Sequence, residues 1–104
     1  MLIRIVRMTF RPETVPNFLT LFKEIFPVIR NMPGCRHLEL WQDADLPEVF
    51  STFSHWEAAE DLERYRQSEY FKATWARTKV LFDAPPLAWS QAKVFPVDLE
   101  DESA

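Results

Sequence analysis

The chain has one glycine, one cysteine, two histidines and no long uncharged apolar run in 104 residues. Each scarcity excludes something. A single Gly leaves no Gly-rich phosphate loop and no flexible low-complexity linker. The lone Cys35 cannot build an intrachain disulfide framework, which fits a reducing, cytoplasmic setting. Near the start, Arg4 and Arg7 interrupt the apolar residues, so no secretory signal is expected. No stretch approaches the length needed to span a bilayer. The net charge is −4 with no basic run, which argues against nucleic acid or an anionic membrane as a partner. Neither a nucleophile elbow nor a Cys/His metal spacing occurs, and with the phosphate loop also missing no cofactor and no metal are expected.

Apolar residues are what the chain has in quantity. They make up 47% of it and include nine Phe, enough for one small packed domain. Residues 1–96 read as that domain. Residues 97–104 carry four acids and read as an acidic C-terminal tail.

The pattern along the domain alternates between two periods. From Leu2 to Phe10 the residues Leu2, Val6, Met8 and Phe10 share one face of a strand, with Arg4 breaking the apolar row. Ile3, Ile5, Arg7 and Thr9 form the mixed opposite face. Phe18, Leu21, Phe22, Ile25 and Ile29 then recur at helical spacing. Thr14 is placed to cap this helix, and Pro16 falls in its first turn. Pro27 falls inside the helical pattern and should kink it or narrow its last turn. Met32-Pro33-Gly34 ends it. Cys35 to Gln42 predicts a second strand, with Leu38, Leu40 and Arg36 on one face and Cys35, His37, Glu39 and Trp41 on the other. Glu48 to Ser54 predicts a third, joined to the second by a short turn as a hairpin. Ser54-His55-Trp56-Glu57 has the form of a capping box at the start of a helix carrying Leu62 and Tyr65. Gln67-Ser68-Glu69 marks a break and a fresh cap. Phe71, Thr74, Trp75, Thr78 and Phe82 continue as a second helical segment, ended by Asp83-Ala84-Pro85-Pro86. Leu87 to Phe95 predicts the last strand, closed by Pro96.

This order predicts an α+β, ferredoxin-like fold: a four-stranded antiparallel sheet with its helices on one face. Burial then sets an expectation about assembly. The uncovered sheet face carries Ile3 and Ile5, with Trp41 and Trp89 as candidates to join them. An apolar surface of that kind seldom faces water, so a homodimer is expected, with Leu87 to Phe95 in the contact.

Pro33-Gly34-Cys35, the hairpin ending in His55-Trp56, and Leu62-x-x-Tyr65-x-x-Ser68-Glu69-x-Phe71 resemble, in order and spacing, the landmarks of the antibiotic biosynthesis monooxygenase (ABM) family. The resemblance covers roughly residues 2–95. It implies a dimeric α+β barrel with a pocket in each subunit between sheet and helices. Characterised members of the family include oxygenases that use neither metal nor flavin and act on phenolic or quinol-like polycyclics. Others degrade haem, process signalling molecules or have no known activity. The haem-degrading branch uses an Asn, a Trp and an axial His at positions that fall here on Val6, Tyr65 and Trp75. Val6 cannot hydrogen-bond and Trp75 cannot ligate iron, so haem degradation does not carry over. Many members also have a His just before the Phe of the Ser68 motif. Here that position is Tyr70, so a role for that His does not carry over either.

Cofactor-free oxygenation needs a protein that holds an electron-rich anion, relays a proton and excludes water. His is tuned nearest neutral pH, which makes His55 the candidate catalytic residue. Tyr65, Tyr70, Phe71 and Trp75 are the candidate pocket walls for a small aromatic ligand. Each has a plainer reading. His55 also suits a helix-start residue packed near a cap, and Tyr65 and Trp75 also suit a core. His37 reads as a strand residue paired with Glu39 or Arg7 at the dimer face. Trp56 reads as a packing anchor and Cys35 as inert. The charges from Glu57 to Arg66 read as a solvated helix face. Two functions remain on the same scaffold, a monooxygenase and a non-catalytic dimeric small-molecule-binding module. An isomerase acting on a small lactone or ketone is a third.

Overall fold

The computed structural model describes residues 1–95. Within it β1 (Leu2–Phe10) leads through a short 3₁₀ turn (Pro12–Thr14) into α1 (Val15–Arg30). The hairpin of β2 (Cys35–Gln42) and β3 (Val49–Trp56) follows, then α2 (Ala59–Arg66), α3 (Glu69–Lys79) and β4 (Phe82–Ala92). The strands form one antiparallel sheet in the order β2-β3-β1-β4. This is the ferredoxin-like arrangement expected from the element order. The acidic tail of residues 97–104, and Pro96 as the end of the last strand, lie outside the described residues.

The period of two sorts the sheet. Val6, Met8 and Phe10 of β1 and Phe50 of β3 point to the helices and meet Phe18, Leu21, Phe22, Ile25 and Ile29 of α1. Phe10 lies at the centre and is fully buried. Its ring stacks on Phe18 at 4.1 Å between centroids and meets Phe82 at 5.3 Å and Phe50 at 6.0 Å. A second cluster joins Cys35, Trp56 and Leu62, with Leu2, Met32 and Tyr65 packed on it.

Three local expectations are corrected. First, Ser54 to Glu57 is not a capping box. β3 runs on to Trp56, and Ser54 is a buried sheet residue whose Oγ accepts from Trp56 Nε1 at 3.0 Å and donates to the Arg4 carbonyl at 3.4 Å. Glu57 instead pairs with Arg36 and donates its backbone N–H to the Gly34 carbonyl at 2.8 Å. α2 starts after Ala58 with no side-chain cap, and Glu60 and Asp61 in its first turn complement the helix dipole. The reason is tertiary: pairing with β1 and β2 outcompetes a local cap. Second, Cys35 does not share a face with His37. The pairing of β2 with β3 is irregular between these residues, so Cys35 and Leu38 both face the helices. Third, β4 begins at Phe82, so Pro85 and Pro86 lie inside a strand. The strand is at the sheet edge, and its register with β1 shifts between Arg7 and Thr9, opposite the two prolines. Such a bulge on an edge is where Pro is tolerated.

The expected fresh cap at Ser68 is present. Its Oγ accepts from the Phe71 N–H at 3.1 Å. Thr14 stands at the N-cap of α1, yet its hydroxyl donates to the Arg11 and Leu81 carbonyls, each at 2.8 Å, and ties the helix start to β4. Pro27 is accommodated in the last turn of α1.

The one glycine is at a position that demands it. Gly34 has φ +85°, and a Cβ there would overlap the Asp61 side chain. Gly34→Ala is therefore expected to cost about 1–3 kcal/mol, the usual range for a strained backbone position. A denaturation midpoint equal to that of the parent would refute this.

Candidate functional site

The helices do not close completely on the sheet. Between them is a cavity of about 360 Å³. Its floor is Arg4, Val6 and Met8 of β1, with Thr52, Ser54 and Trp56 of β3. These are the even-numbered, helix-facing positions of paired strands, so one register places them side by side. Apolar side chains of α1 form the far wall. The near wall comes from α2 and α3, where Leu62, Tyr65, Arg66, Phe71, Thr74, Trp75 and Thr78 line the space.

The near wall is a chain of aromatic rings. Trp56 stacks on Tyr65 at 5.4 Å, Tyr65 meets Phe71 edge-on at 5.1 Å, and Phe71 stacks on Trp75 at 5.9 Å. Flat walls of this kind suit a planar ligand. A cavity near 150 Å³ holds benzene, so this one has room for about two fused rings. The break at Ser68 turns the chain between α2 and α3 and brings Tyr65 onto Phe71.

The polar groups are few. The Thr74 hydroxyl donates to the Tyr70 carbonyl at 3.0 Å and that of Thr78 to the Thr74 carbonyl at 2.8 Å, so both protons are committed within the helix. Burial pushes the Tyr65 phenol well above its ordinary range, so it stays neutral at physiological pH and acts as a donor. The remaining polar groups include two guanidiniums, Arg4 and Arg66. Among the described residues, no carboxylate and no imidazole lines the cavity.

Of the candidate residues, the structure brings Tyr65, Phe71 and Trp75 together around the cavity. Tyr70 is on α3 but does not line it; the side chain packs against the main core instead. His55 is separated from the cavity altogether. As an odd-numbered residue of β3 it lies on the sheet face away from the helices, where its ring meets Phe53 at 4.9 Å and His37 at 5.4 Å. Reading His55 as the start of a helix put it on the wrong face; one further pair of strand residues reverses that placement. Val6 and Trp75, standing where the haem-degrading branch has an Asn and a His, both line the cavity and supply no axial ligand.

Arg4, Arg66, Thr52 and Ser54 were missed as lining residues. Arg4 left a signal, since it interrupts an otherwise apolar face of β1. Arg66 left none, because a charge on a short polar helix looks solvated. Trp56 is the packing anchor expected, 1% exposed, and also a cavity wall. Cys35 is buried, and burial raises its thiol further from ionisation.

The face away from the helices holds its own cluster. Trp41 stacks on Phe53 at 4.7 Å. Glu39 accepts from Trp41 Nε1 at 2.7 Å and also pairs with His37, which holds its carboxyl below the ordinary range. His55 Nε2 is buried with no hydrogen-bond partner among the described residues. Burial first, then the nearby His37 and Lys93, lowers the His55 imidazole pKa, with Glu39 opposing. The unfolded chain therefore binds a proton more readily than the folded one. Stability is expected to fall as pH drops below about 6.5, the ordinary imidazole value, until the lowered value is passed. His55→Gln should flatten this slope. Melting temperatures between about pH 5 and 7.5 test it, and an unchanged slope in the variant would exclude His55 as the cause.

The matches to known proteins agree with the fold. The profile of the family described as antibiotic biosynthesis monooxygenase matches residues 1–77. The chain belongs to that family. A conserved protein from Methanosarcina mazei Go1 superposes with a TM-score of 0.84 at 22% identity, covering 90% of this chain and 94% of that one. A protein of Mycobacterium tuberculosis gives 0.85 at 21%, covering 93% and 98%. A third structure, described as an antibiotic biosynthesis monooxygenase, gives 0.84 at 21%, covering 90% and 99%. At these identities the superpositions establish the fold. No curated protein sequence matches the chain. Among the described residues, no helix is long and apolar enough to cross a membrane, and no group of three or more His, Cys, Asp or Glu is placed to hold a metal.

Proposed function

We propose that the cavity is the active site of a cofactor-independent monooxygenase for a small, phenolic or quinol-like aromatic substrate. The observation that carries this is the aromatic-walled space of about 360 Å³ in a chain of this family. Naphthol illustrates the chemistry. Its anion transfers an electron to dioxygen, and the pair recombines with a new C–O bond at the para carbon. The resulting hydroperoxide loses the proton on that carbon and breaks its O–O bond, leaving a quinone and water. The substrate supplies every electron, one oxygen atom enters the quinone and the other leaves as water. Tyr65, Phe71 and Trp75 would hold the ring and exclude water, and the neutral Tyr65 hydroxyl would donate to the substrate oxygen.

The test is turnover of naphthol under isotopically labelled dioxygen, run near the naphthol pKa so that its anion is present. One labelled oxygen in the quinone is expected, with the rate falling at least tenfold in Trp75→Ala. Melting of that variant, measured alongside, separates lost binding from lost fold. Unlabelled product, or no product, sinks the reading. That no carboxylate or imidazole among the described residues lines the cavity favours a second reading, a module that binds an aromatic ligand without converting it. Binding without turnover is the result that would select it.

We also propose that two copies associate through the sheet face away from the helices. Ile3, Ile5, Trp41, Phe53, Leu87 and Trp89 fall on that face by strand register. Leu87 is 61%, Trp41 43% and Trp89 38% exposed in the single chain. Joined apolar surface of this kind is what a self-complementary interface covers.

A further inference from the structure

We infer that the cavity selects an aromatic ligand that is already an anion at neutral pH, and that Arg4 and Arg66 are the residues that hold its charged oxygen. The inference rests on the aromatic-binding reading of the cavity and adds the charge state of what enters.

Four observations converge. Among the described residues, two that line the cavity are cations and none is an acid. Arg4 is a strand residue on the helix-facing side, between Ser54 and Ser90 of the flanking strands. Its Nη1 donates to the neutral Ser90 hydroxyl at 3.1 Å, and among the described residues it makes no ion pair. Arg66 reaches Glu63 at 3.5 Å, an exposed pair one helical turn apart that competes poorly with a bound anion. Partial burial first, and then the charge of Arg66, lowers the pKa of Arg4, with Glu63 opposing. Like charges brought together in a half-buried site are destabilising until an anion joins them. A guanidinium is also the side chain best shaped for a carboxylate or phenolate oxygen.

The same lining explains why the charge must be present on arrival. Among the described residues no carboxylate or imidazole lines the cavity and Tyr65 is neutral, so none of them is placed to take a proton from a neutral phenol. A ligand ionised in water brings its charge with it. Its rings would lie along Tyr65, Phe71 and Trp75 and its oxygen toward the arginines.

The experiment titrates the full chain, by tryptophan fluorescence and calorimetry, with three bicyclic probes: naphthoate, naphthamide and naphthol. Naphthoate is expected to bind at least tenfold more tightly than its neutral isostere naphthamide. Raising the pH toward the naphthol pKa should strengthen naphthol binding, which separates a phenolate from a carboxylate as the oxygen recognised. Arg4→Met and Arg66→Gln should each cut the naphthoate preference about tenfold while leaving naphthamide binding unchanged. The unchanged amide also shows that the variants fold. Equal binding of naphthoate and naphthamide, or a preference that survives in both variants, overturns the inference and leaves the aromatic site standing. If none of the probes binds, the inference and the aromatic reading of the cavity fall together.

Discussion

Phe10→Ala is expected to lower the unfolding free energy by about 3–5 kcal/mol, the range for removing a fully buried Phe ring. The side chain has no exposed surface and touches three other rings, Phe18, Phe50 and Phe82. Those rings come from α1, β3 and β4, so one deletion loosens the helix, the sheet centre and the edge strand together. The neighbours are held by strand pairing and helix hydrogen bonds and cannot collapse into the space, which puts the cost at the upper end. Small domains have about 5–15 kcal/mol in total, so the variant should be close to unfolding at 37 °C. Urea denaturation at fixed protein concentration measures it, since association adds a concentration-dependent term. Phe10→Leu, which refills most of the volume, should recover more than half of the loss. A loss below about 1 kcal/mol for the Ala variant would mean that the centre of the core lies elsewhere.

Ile5→Glu is expected to convert the associated protein into a folded monomer. Ile5 is central on the face away from the helices, paired with Phe53 on one side and Trp89 on the other. In a single chain the new carboxylate meets water and the fold is untouched. Between two such faces it is buried twice, once from each copy; its register partners are Phe53 and Trp89, and Arg7, two residues along the same face, is already paired with Asp43. Leaving a charge desolvated and unpaired costs several kcal/mol. Two symmetric copies should weaken association by about 4 kcal/mol or more, roughly a thousandfold in Kd. Sedimentation velocity at micromolar concentration reads the outcome, with circular dichroism confirming the fold. An Ile5→Glu protein that sediments as the parent does would move the interface off this face. A parent protein already monomeric there would remove the interface itself.

The helix and strand periods of this chain are local properties, and they are legible residue by residue. The spacing of Phe18, Leu21, Phe22, Ile25 and Ile29 defines the buried stripe of α1, and the alternation of Val6, Met8 and Phe10 defines the inner face of β1. Gly34 after Pro33 marks the stop, because only a residue without a Cβ fits beside Asp61 with positive φ. Ser68 marks the cap of α3 for an equally local reason. The order of these pieces by itself predicts the ferredoxin-like sheet, and membership of the ABM family agrees with it.

What the tertiary structure decided is where local rules compete with pairing. Ser54 and Glu57 satisfy the rule for a capping box, but hydrogen bonds to β1 and β2 extend β3 through Ser54 to Trp56, and that extension sends His55 to the face opposite the cavity. Pro85 and Pro86 signal a loop, yet an edge strand with a bulge admits them. Arg4 and Arg66, 62 positions apart in the chain, meet at one cavity only because Arg4 faces the helices and α2 ends above it. Periodicity tells which residues share a face of one element. It cannot tell which two faces will meet, because that depends on register and packing summed over the whole domain.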